Sequence, residues 1–216
     1  MTVKVAINGF GRIGRLALRS IMELKRQDIE VVAINDLGPV ATLAHLLQYD
    51  SVHGPYRGTI ETGEDWIDVG YGRIAVSAER DPANLPHRRL GVDIAFECTG
   101  FFTSRDKASA HLRAGAKRVL VSAPCEGSDK TIVFKVNHEA LTSEDLVVSN
   151  GSCTTNVLAP VAKVLNDLFG IGRGYMTTVH AYTGDQPTLD TLHKDLYRGR
   201  AAALSMIPTS TGAANA

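Results

Sequence analysis

The sequence predicts an α/β protein that contains a doubly wound parallel sheet followed by a smaller α+β part. Over residues 1–150, short apolar segments rich in β-branched residues alternate with segments whose apolar residues repeat at helical spacing. This alternation is typical of a parallel sheet with helices on both faces. Glycine or polar residues follow most of the apolar segments, as they do where strands end at a ligand-binding edge. The length of 216 residues and the 44% hydrophobic content fit one or two globular domains.

Composition and charge argue against several classes of protein. The 23 basic and 23 acidic side chains balance, so a general nucleic-acid-binding or membrane surface is not expected, although a local basic site is not excluded. The three cysteines, Cys98, Cys125 and Cys153, are far apart and have neither disulfide-framework nor zinc spacing. The chain opens without a signal-peptide pattern, and it lacks an apolar run long enough to span a bilayer. We therefore expect a cytoplasmic protein with no metal site.

The first element is a strand, a glycine turn and a helix. The apolar segment Val3–Asn8 ends in Gly9-Phe10-Gly11-Arg12-Ile13-Gly14, and residues 15–26 carry a helical apolar pattern. In this motif the first glycine allows a tight turn, the second lets the backbone approach a pyrophosphate, and the third lets the helix pack on its strand. The spacing alone is weak evidence for a dinucleotide site.

The second strand strengthens that evidence. Residues 31–34 form an apolar segment that ends in Asn35 and Asp36, and Asp36 lies about 20 residues past the glycines, where an acid accepts hydrogen bonds from the ribose hydroxyls. Asp36 as a mere turn or cap residue is the alternative. The joint spacing favours a dinucleotide-binding domain of Rossmann type, and an acid at this position repels a 2′-phosphate, so NAD is favoured over NADP.

The remaining elements of the first part follow in order. The patterns predict a helix over 39–48, a hairpin formed by 66–69 and 73–76, a loop over 79–82, a buried strand entering a loop over 92–100, a helix over 104–114, and strands over 118–122, 131–136 and 146–148. Thr99 and Ser122 fall at strand ends, as Asp36 does, and Arg80 lies in the 79–82 loop. Each alone is more often an ordinary polar residue, but together they outline a cofactor crevice.

A cysteine lies at the next junction between a predicted strand and a predicted helix. Ser149–Asn156 has the sequence S-N-G-S-C-T-T-N and precedes a helical pattern over 157–169. Cys153 would lie near the positive end of that helix, which favours the thiolate. The neighbouring hydroxyls and first-turn N–H groups would suit an anion or an oxyanion. The alternative is a helix cap with an inert, buried thiol.

A histidine in the following segment is the candidate partner of Cys153. Residues 175–182 form a predicted strand that carries His180. A histidine on a strand is usually a packed, hydrogen-bonded side chain. A reactive cysteine with a histidine far along the chain is also how thiol nucleophiles are built, because an imidazole activates the thiol.

Three motifs in this order resemble those of phosphorylating glyceraldehyde-3-phosphate dehydrogenases. They are S-N-G-S-C-T-T-N, then T-T-V-H-A-Y-T over 177–183, and I-P-T-S-T-G-A-A over 207–214, and they follow the glycine motif. The resemblance implies a nucleophile at Cys153 and a general base at His180. It also implies contacts to the two phosphates from Ser152, Thr154, Thr183, Arg198, Thr211 and Gly212. Arg200 is close enough in sequence to compete with Arg198 for its role.

The resemblance also implies the reaction and its partners. Glyceraldehyde 3-phosphate, inorganic phosphate and NAD would react through a thioester on Cys153, in a protein that is a homotetramer when complete. Residues 1–150 would be the NAD-binding domain and 151–216 the first part of the catalytic domain, with a further part of the family's sequence expected beyond Ala216. We therefore expect the 216-residue chain alone to be poorly active. Thr191-Leu192 stands where many relatives have Leu-Pro, which weakens the inference of strict NAD preference slightly.

Two other functions remain open from the sequence. The first is the same chemistry on erythrose 4-phosphate, although Asp36, Gly151 and the Thr211-Gly212 pair favour the triose. The second is a non-catalytic dinucleotide-binding or interaction module in which Cys153 is idle or senses redox state. Comparing turnover on the two sugars distinguishes the erythrose 4-phosphate enzyme from the triose enzyme. Selective alkylation of Cys153 that substrate prevents distinguishes an enzyme from the non-catalytic module.

Overall fold

The structure, a computed structural model, describes residues 2–209. The chain divides into two compact units, residues 1–152 and 153–216, and each is described by itself. The domain boundary predicted after residue 150 remains a prediction, since a compact unit is not by itself a folding domain.

The first unit is built on one sheet of nine strands among the described residues. The strands are β1 (Val3–Asn8), β2 (Ile29–Asn35), β3 (Glu61–Thr62), β4 (Trp66–Asp68), β5 (Arg73–Ser77), β6 (Ile94–Glu97), β7 (Arg118–Val121), β8 (Lys130–Thr131) and β9 (Val147–Ser149). Their order across the sheet is β3-β4-β5-β2-β1-β6-β7-β9-β8. The β3-β4-β5 edge is antiparallel, and every pair from β5 to β8 is parallel.

The parallel strands have the order of a doubly wound dinucleotide-binding sheet. Strands β1, β2 and β5 follow one another toward one edge of the sheet, and strands β6, β7 and β9 follow one another toward the other edge. This is the arrangement of two mononucleotide-binding halves side by side. The direction of winding reverses between β1 and β6, so the ligand crevice is expected at the carboxyl ends of those two strands. The predicted fold class is confirmed.

Helices cover both faces of the sheet because its strands are apolar on both sides. The helices of this unit are α1 (Arg12–Glu23), α2 (Val40–Gln48), α3 (His87–Leu90), α4 (Arg105–Ala108) and α5 (Ala110–Ala114), whereas α6 (Cys153–Phe169) belongs to the second unit. On β1, Val5 and Ile7 join the largest core cluster with residues of α1 and α2, whereas Ala6 belongs to a second cluster on the opposite face. Side chains that alternate between two buried clusters are what a central parallel strand requires.

Several predicted element bounds differ from the structure, and three of the differences in the first unit have a clear physical reason. The first helix was expected over 15–26, but it begins inside the glycine motif at Arg12, since the carbonyl of Gly11 already accepts a bond from the Arg15 N–H at 3.1 Å. The helix expected over 104–114 is two short helices. They are divided at Ser109, whose hydroxyl donates to the Arg105 carbonyl at 2.6 Å and competes with the helical pattern.

The strand expected over 131–136 is the third difference. It ends at Thr131, because the Asn137 side chain accepts a hydrogen bond from the Val133 N–H at 2.8 Å and donates one to the Thr131 carbonyl at 2.9 Å. Lys135 has a φ of 67°, a left-handed conformation that a strand does not contain. Side-chain hydrogen bonds to the backbone therefore turn the chain where periodicity alone predicted extension.

The second unit consists of α6 and a long irregular segment up to residue 209. The helix expected over 157–169 begins four residues earlier, at Cys153. The strand expected over 175–182 is wrong: this segment has no regular secondary structure and pairs with no strand within residues 2–209. A strand needs a neighbouring chain to satisfy its backbone groups. In the part of the chain described, no helix has the length and apolar character needed to cross a membrane.

Candidate functional site

The glycine turn after β1 meets the end of β6 at the point where the sheet's winding reverses. Gly9 has a φ of +89°, and a Cβ there would lie 2.7 Å from the backbone nitrogen of Thr99. A Cβ at Gly14 would lie 2.1 Å from the carbonyl oxygen of Gly9. Gly11 differs, because a Cβ there would meet no protein atom within 4 Å. The first and third glycines are therefore required by protein packing, and the second borders open space.

Asp36 closes the same turn from β2. One carboxylate oxygen accepts a hydrogen bond from the Phe10 N–H at 2.7 Å, and the other accepts one from the Gly38 N–H at 3.1 Å. The predicted ribose-binding acid thus also holds the backbone of the glycine motif. Its half-buried side chain lies at the carboxyl edge of the sheet.

The other predicted cofactor residues lie at or near this edge with different exposures. Thr99 and Ser122 are half-buried just after β6 and β7, and Arg80 is exposed in the loop after β5. Arg12 is in the first turn of α1 and forms an ion pair with Asp50. Ile13 is 52% exposed. The roles of these residues in cofactor binding remain predictions.

Beneath this edge is a group of buried polar residues that the sequence analysis did not single out. Asn8, Asn35 and Glu97 end β1, β2 and β6, and His111 and His87 belong to α5 and α3. The signal available in the sequence was a polar residue as the last member of each otherwise apolar strand. Polar side chains with 7% exposure or less must form hydrogen bonds to be tolerated there.

The two predicted catalytic side chains are in contact in the second unit. Cys153 is the first residue of α6, and its Sγ lies 3.1 Å from Nε2 of His180. The other ring nitrogen, Nδ1, lies 2.5 Å from the carbonyl oxygen of Ala181. A carbonyl only accepts, so Nδ1 carries a proton and Nε2 faces the sulfur. The contact forms although the strand predicted around His180 does not.

Electrostatics in this pair favour the thiolate and the imidazolium. The hydrogen bond and charge of His180 lower the pKa of Cys153, and the Thr154 N–H adds to the effect. The pKa of His180 is raised by its hydrogen bond to Cys153 and by the Ala181 carbonyl. Both side chains are exposed, so the sulfur is accessible to a substrate. A partly exposed thiol with a depressed pKa is the environment of a reactive cysteine.

The predicted phosphate-binding residues are only partly brought together. Arg198 donates from Nε to the Thr209 hydroxyl at 2.7 Å and from a terminal nitrogen to Asp185 at 2.8 Å. Thr183 is exposed, and its N–H donates to the Gln186 side chain at 2.8 Å.

The competing arginine and the remaining phosphate candidates are placed separately. Arg200 pairs instead with Asp190, at 3.1 Å. Ser152 and Thr154 flank Cys153 in the chain. Thr211 and Gly212 lie outside the described residues, and the phosphate roles of all these residues remain predictions.

Carboxylates and histidines are not arranged for a metal ion within residues 2–209. No group of three or more histidine, cysteine, aspartate or glutamate side chains there has the geometry to hold one. Cys98 and Cys125 are free, and burial raises the pKa of Cys98 to about 11 and that of Cys125 above its usual range. Their thiols are therefore unreactive in comparison with Cys153.

Comparison with known proteins gives the same family for both units. Residues 3–105 match the family model described as glyceraldehyde 3-phosphate dehydrogenase, NAD binding domain, and residues 152–216 match the C-terminal domain model of that family. The chain is 73% identical to the glyceraldehyde-3-phosphate dehydrogenase of Xanthobacter flavus, 69% to that of Cereibacter sphaeroides and 61% to that of Zymomonas mobilis subsp. mobilis. Each match covers 100% of this chain and 64% of the relative, so the chain spans less than two thirds of the length of these relatives.

Proposed function

The chain belongs to the glyceraldehyde 3-phosphate dehydrogenase family, and from this we propose that its activity is the NAD-dependent oxidation and phosphorylation of D-glyceraldehyde 3-phosphate to 1,3-bisphosphoglycerate. The observation that carries the proposal is the 3.1 Å contact between the Cys153 sulfur and His180 at the start of α6. The proposal extends to a cytoplasmic homotetramer that acts in glycolysis.

The first unit fits NAD. The open space at Gly11 allows a pyrophosphate to approach the backbone at the N-terminus of α1, where free N–H groups and the helix dipole favour an anion. Asp36, at the end of β2, would accept hydrogen bonds from the adenosine ribose. Bound NAD supplies the hydride acceptor for the oxidation.

The protein's own contribution to the oxidation begins with the Cys153 thiolate. The sulfur adds to the aldehyde carbon of the substrate, and the carbonyl oxygen takes the Nε2 proton of the His180 imidazolium to become the hydroxyl of a hemithioacetal. His180 then removes the proton from that hydroxyl through Nε2 while the carbon is oxidised to a thioester. Covalent capture divides one difficult oxidation into two easier steps, and a positioned base contributes about 10²- to 10⁴-fold.

Inorganic phosphate completes the reaction. A phosphate oxygen attacks the thioester carbon, the carbon–sulfur bond breaks, and Cys153 leaves as a thiolate, ready for another substrate. Ser152, Thr154, Thr183, Arg198, Thr211 and Gly212 would bind the substrate phosphate and the attacking phosphate. Arginine suits this role because its planar fork binds phosphate oxygens in a bidentate manner.

Turnover in the presence and absence of inorganic phosphate tests the proposal. With glyceraldehyde 3-phosphate and NAD, the full-length protein should form NADH continuously only when phosphate is added. Without phosphate it should give a burst close to one NADH per active site, as an accumulating thioester requires. Cys153→Ser should abolish both, with Cys125→Ser as the matched control. Sustained turnover in Cys153→Ser, or turnover that does not need phosphate, would contradict the proposal.

A further inference from the structure

The buried polar residues beneath the cofactor crevice form one connected network. Asn35 donates to Asn8 at 2.8 Å, Asn8 donates to Glu97 at 2.6 Å, Glu97 contacts His111 at 2.9 Å, and His111 contacts His87 at 2.9 Å. All five side chains are 7% exposed or less. None of them has a part in the proposed chemistry, so a different reason for their burial is needed.

Glu97 is the centre of this network, and its carboxylate is fully hydrogen-bonded. One oxygen accepts from the Thr99 N–H at 2.8 Å and from the Thr99 hydroxyl. The other oxygen accepts from Asn8 Nδ2 and from Nε2 of His111. A carboxylate accepts about four hydrogen bonds, so Glu97 has no capacity left. Replacing either oxygen by a donor would place two donors against each other.

The histidine pair fixes the direction of these bonds. Since Glu97 accepts, His111 donates from Nε2, and its Nδ1 faces Nε2 of His87 at 2.9 Å. Nδ1 of His87 is buried without a hydrogen-bond partner in the described part of the chain. Burial and the neighbouring His111 lower the pKa of His87 to about 4. His87 is therefore neutral near pH 7 and supports His111 without adding charge.

Both ends of the network reach the loops that border the crevice. At one end, Glu97 holds Thr99, whose hydroxyl also accepts from the Phe101 N–H at 3.1 Å. The backbone of Thr99 is the surface against which Gly9 packs, with no room for a Cβ. At the other end, Asn35 accepts from the Ser77 hydroxyl and the Glu79 N–H, both at 2.8 Å.

We propose that Glu97 is a positioning residue of the NAD site, which acts through Thr99 and is held in place by Asn8, His111 and His87. This inference rests on the proposed use of NAD. Glu97 fixes the turn after β6 and, through Asn8 and Asn35, the loop before Arg80, so two walls of the crevice keep their shape when the cofactor is absent. A preformed site binds more tightly because less order is imposed on binding.

Variants at Glu97 and Thr99 test this role in the purified protein, with NAD as the probe. Glu97→Gln and Thr99→Val should each weaken NAD binding roughly 5- to 100-fold, as a buried group left unpaired predicts. Thr99→Ser keeps the hydroxyl and should recover most of the affinity that Thr99→Val loses. The double variant Glu97→Gln/Thr99→Val should be little weaker than Glu97→Gln alone, because the two side chains act as one unit.

Two further measurements separate positioning from a general loss of structure. In turnover, the KM for NAD should rise while kcat changes little, and Cys153 should be alkylated at the wild-type rate without NAD. If Glu97→Gln does not fold, the comparison of Thr99→Val with Thr99→Ser decides the question. Wild-type affinity in Thr99→Val, or effects that multiply in the double variant, would overturn the positioning role alone. A wild-type protein that alkylates normally at Cys153 but does not bind NAD would overturn the proposed cofactor and this role with it.

Discussion

At the scale of single residues, the proposed chemistry depends on a proton shared between Cys153 and His180. The contact lowers the pKa of the thiol and raises that of the imidazole. Between those two values the pair exists as thiolate and imidazolium, which is the reactive form. Each group is the largest cause of the pKa shift of the other, and the Thr154 N–H and the Ala181 carbonyl add to these shifts.

Replacing His180 should therefore move the pH at which Cys153 reacts. In wild type, the rate of iodoacetamide alkylation should reach half its maximum below the usual cysteine value of about 8.5. In His180→Asn the midpoint should rise toward that value, and turnover should fall roughly 10²- to 10⁴-fold. His193→Asn serves as the control, because His193 contacts Asp185 and Asp195 and not Cys153. An unchanged alkylation midpoint and an unchanged turnover rate in His180→Asn would exclude His180 as the base.

At the same scale, Asp36 holds the backbone of the glycine motif and is proposed to bind the ribose, and two substitutions separate these two roles. Asp36→Ala removes both the charge and the acceptors for the Phe10 and Gly38 N–H groups. This variant should weaken NAD binding roughly 5- to 100-fold, which corresponds to about 1–3 kcal/mol of binding free energy. Asp36→Asn keeps one acceptor and removes the charge, so it should relax discrimination against NADP with a smaller effect on NAD. Dissociation constants for both cofactors decide this, and an unaltered NADP-to-NAD ratio would make Asp36 only a turn residue.

At the scale of elements, packing between α1 and β1 depends on a missing Cβ. Gly14→Ala would place a methyl group 2.1 Å from the Gly9 carbonyl and 2.9 Å from a methyl of Ile7. Backbone atoms cannot move aside as a flexible side chain does, so the variant should lose on the order of 3 kcal/mol of unfolding free energy. Gly11→Ala meets no atom within 4 Å and should lose less than about 1 kcal/mol.

The two glycine variants should have opposite profiles in a paired measurement of urea denaturation and NAD affinity. Gly14→Ala should lower the denaturation midpoint, whereas Gly11→Ala should keep a near-normal midpoint and lose NAD affinity, because its new methyl group occupies the space proposed for the pyrophosphate. Normal NAD binding by Gly11→Ala would show that the open space at this glycine is not used by the cofactor.

The elements also show which kinds of sequence signal are sufficient to predict structure. The apolar segments of β1, β2, β6 and β7 predicted their strands because central parallel strands are buried on both faces. The strands expected over 131–136 and 175–182 failed, because strand formation also depends on side-chain hydrogen bonds and on a partner chain, which periodicity does not report. The buried network around Glu97 joins residues up to 103 positions apart, so only the fold reveals it.

At the scale of the whole first unit, the buried side chain of His87 makes stability depend on pH. The pKa of His87 falls from an ordinary 6.5 to about 4 in the folded protein. Between those values the unfolded chain binds a proton that the folded chain does not, so stability decreases as pH falls from about 6.5 to about 4. The carboxylates with lowered pKa, such as Asp93 and Asp129, lose their contribution to stability only below the pKa of 3.8 that they have in the unfolded chain. Protonation of the carboxylates and protonation of His87 therefore act in different pH ranges.

A variant that cannot take up this proton should be less sensitive to mild acid. We expect His87→Leu to flatten the dependence of unfolding free energy on pH between about 4 and 6.5, removing a slope of at most one proton, about 1.4 kcal/mol per pH unit. The absolute stability at pH 7 should fall slightly, because His111 loses its partner at 2.9 Å. His53→Gln, at an exposed histidine, is the matched control. Urea denaturation at a series of pH values gives the slope directly. A wild-type slope in His87→Leu would mean that other groups take up the proton. In that case the neutral His87 inferred from its burial does not govern stability in acid.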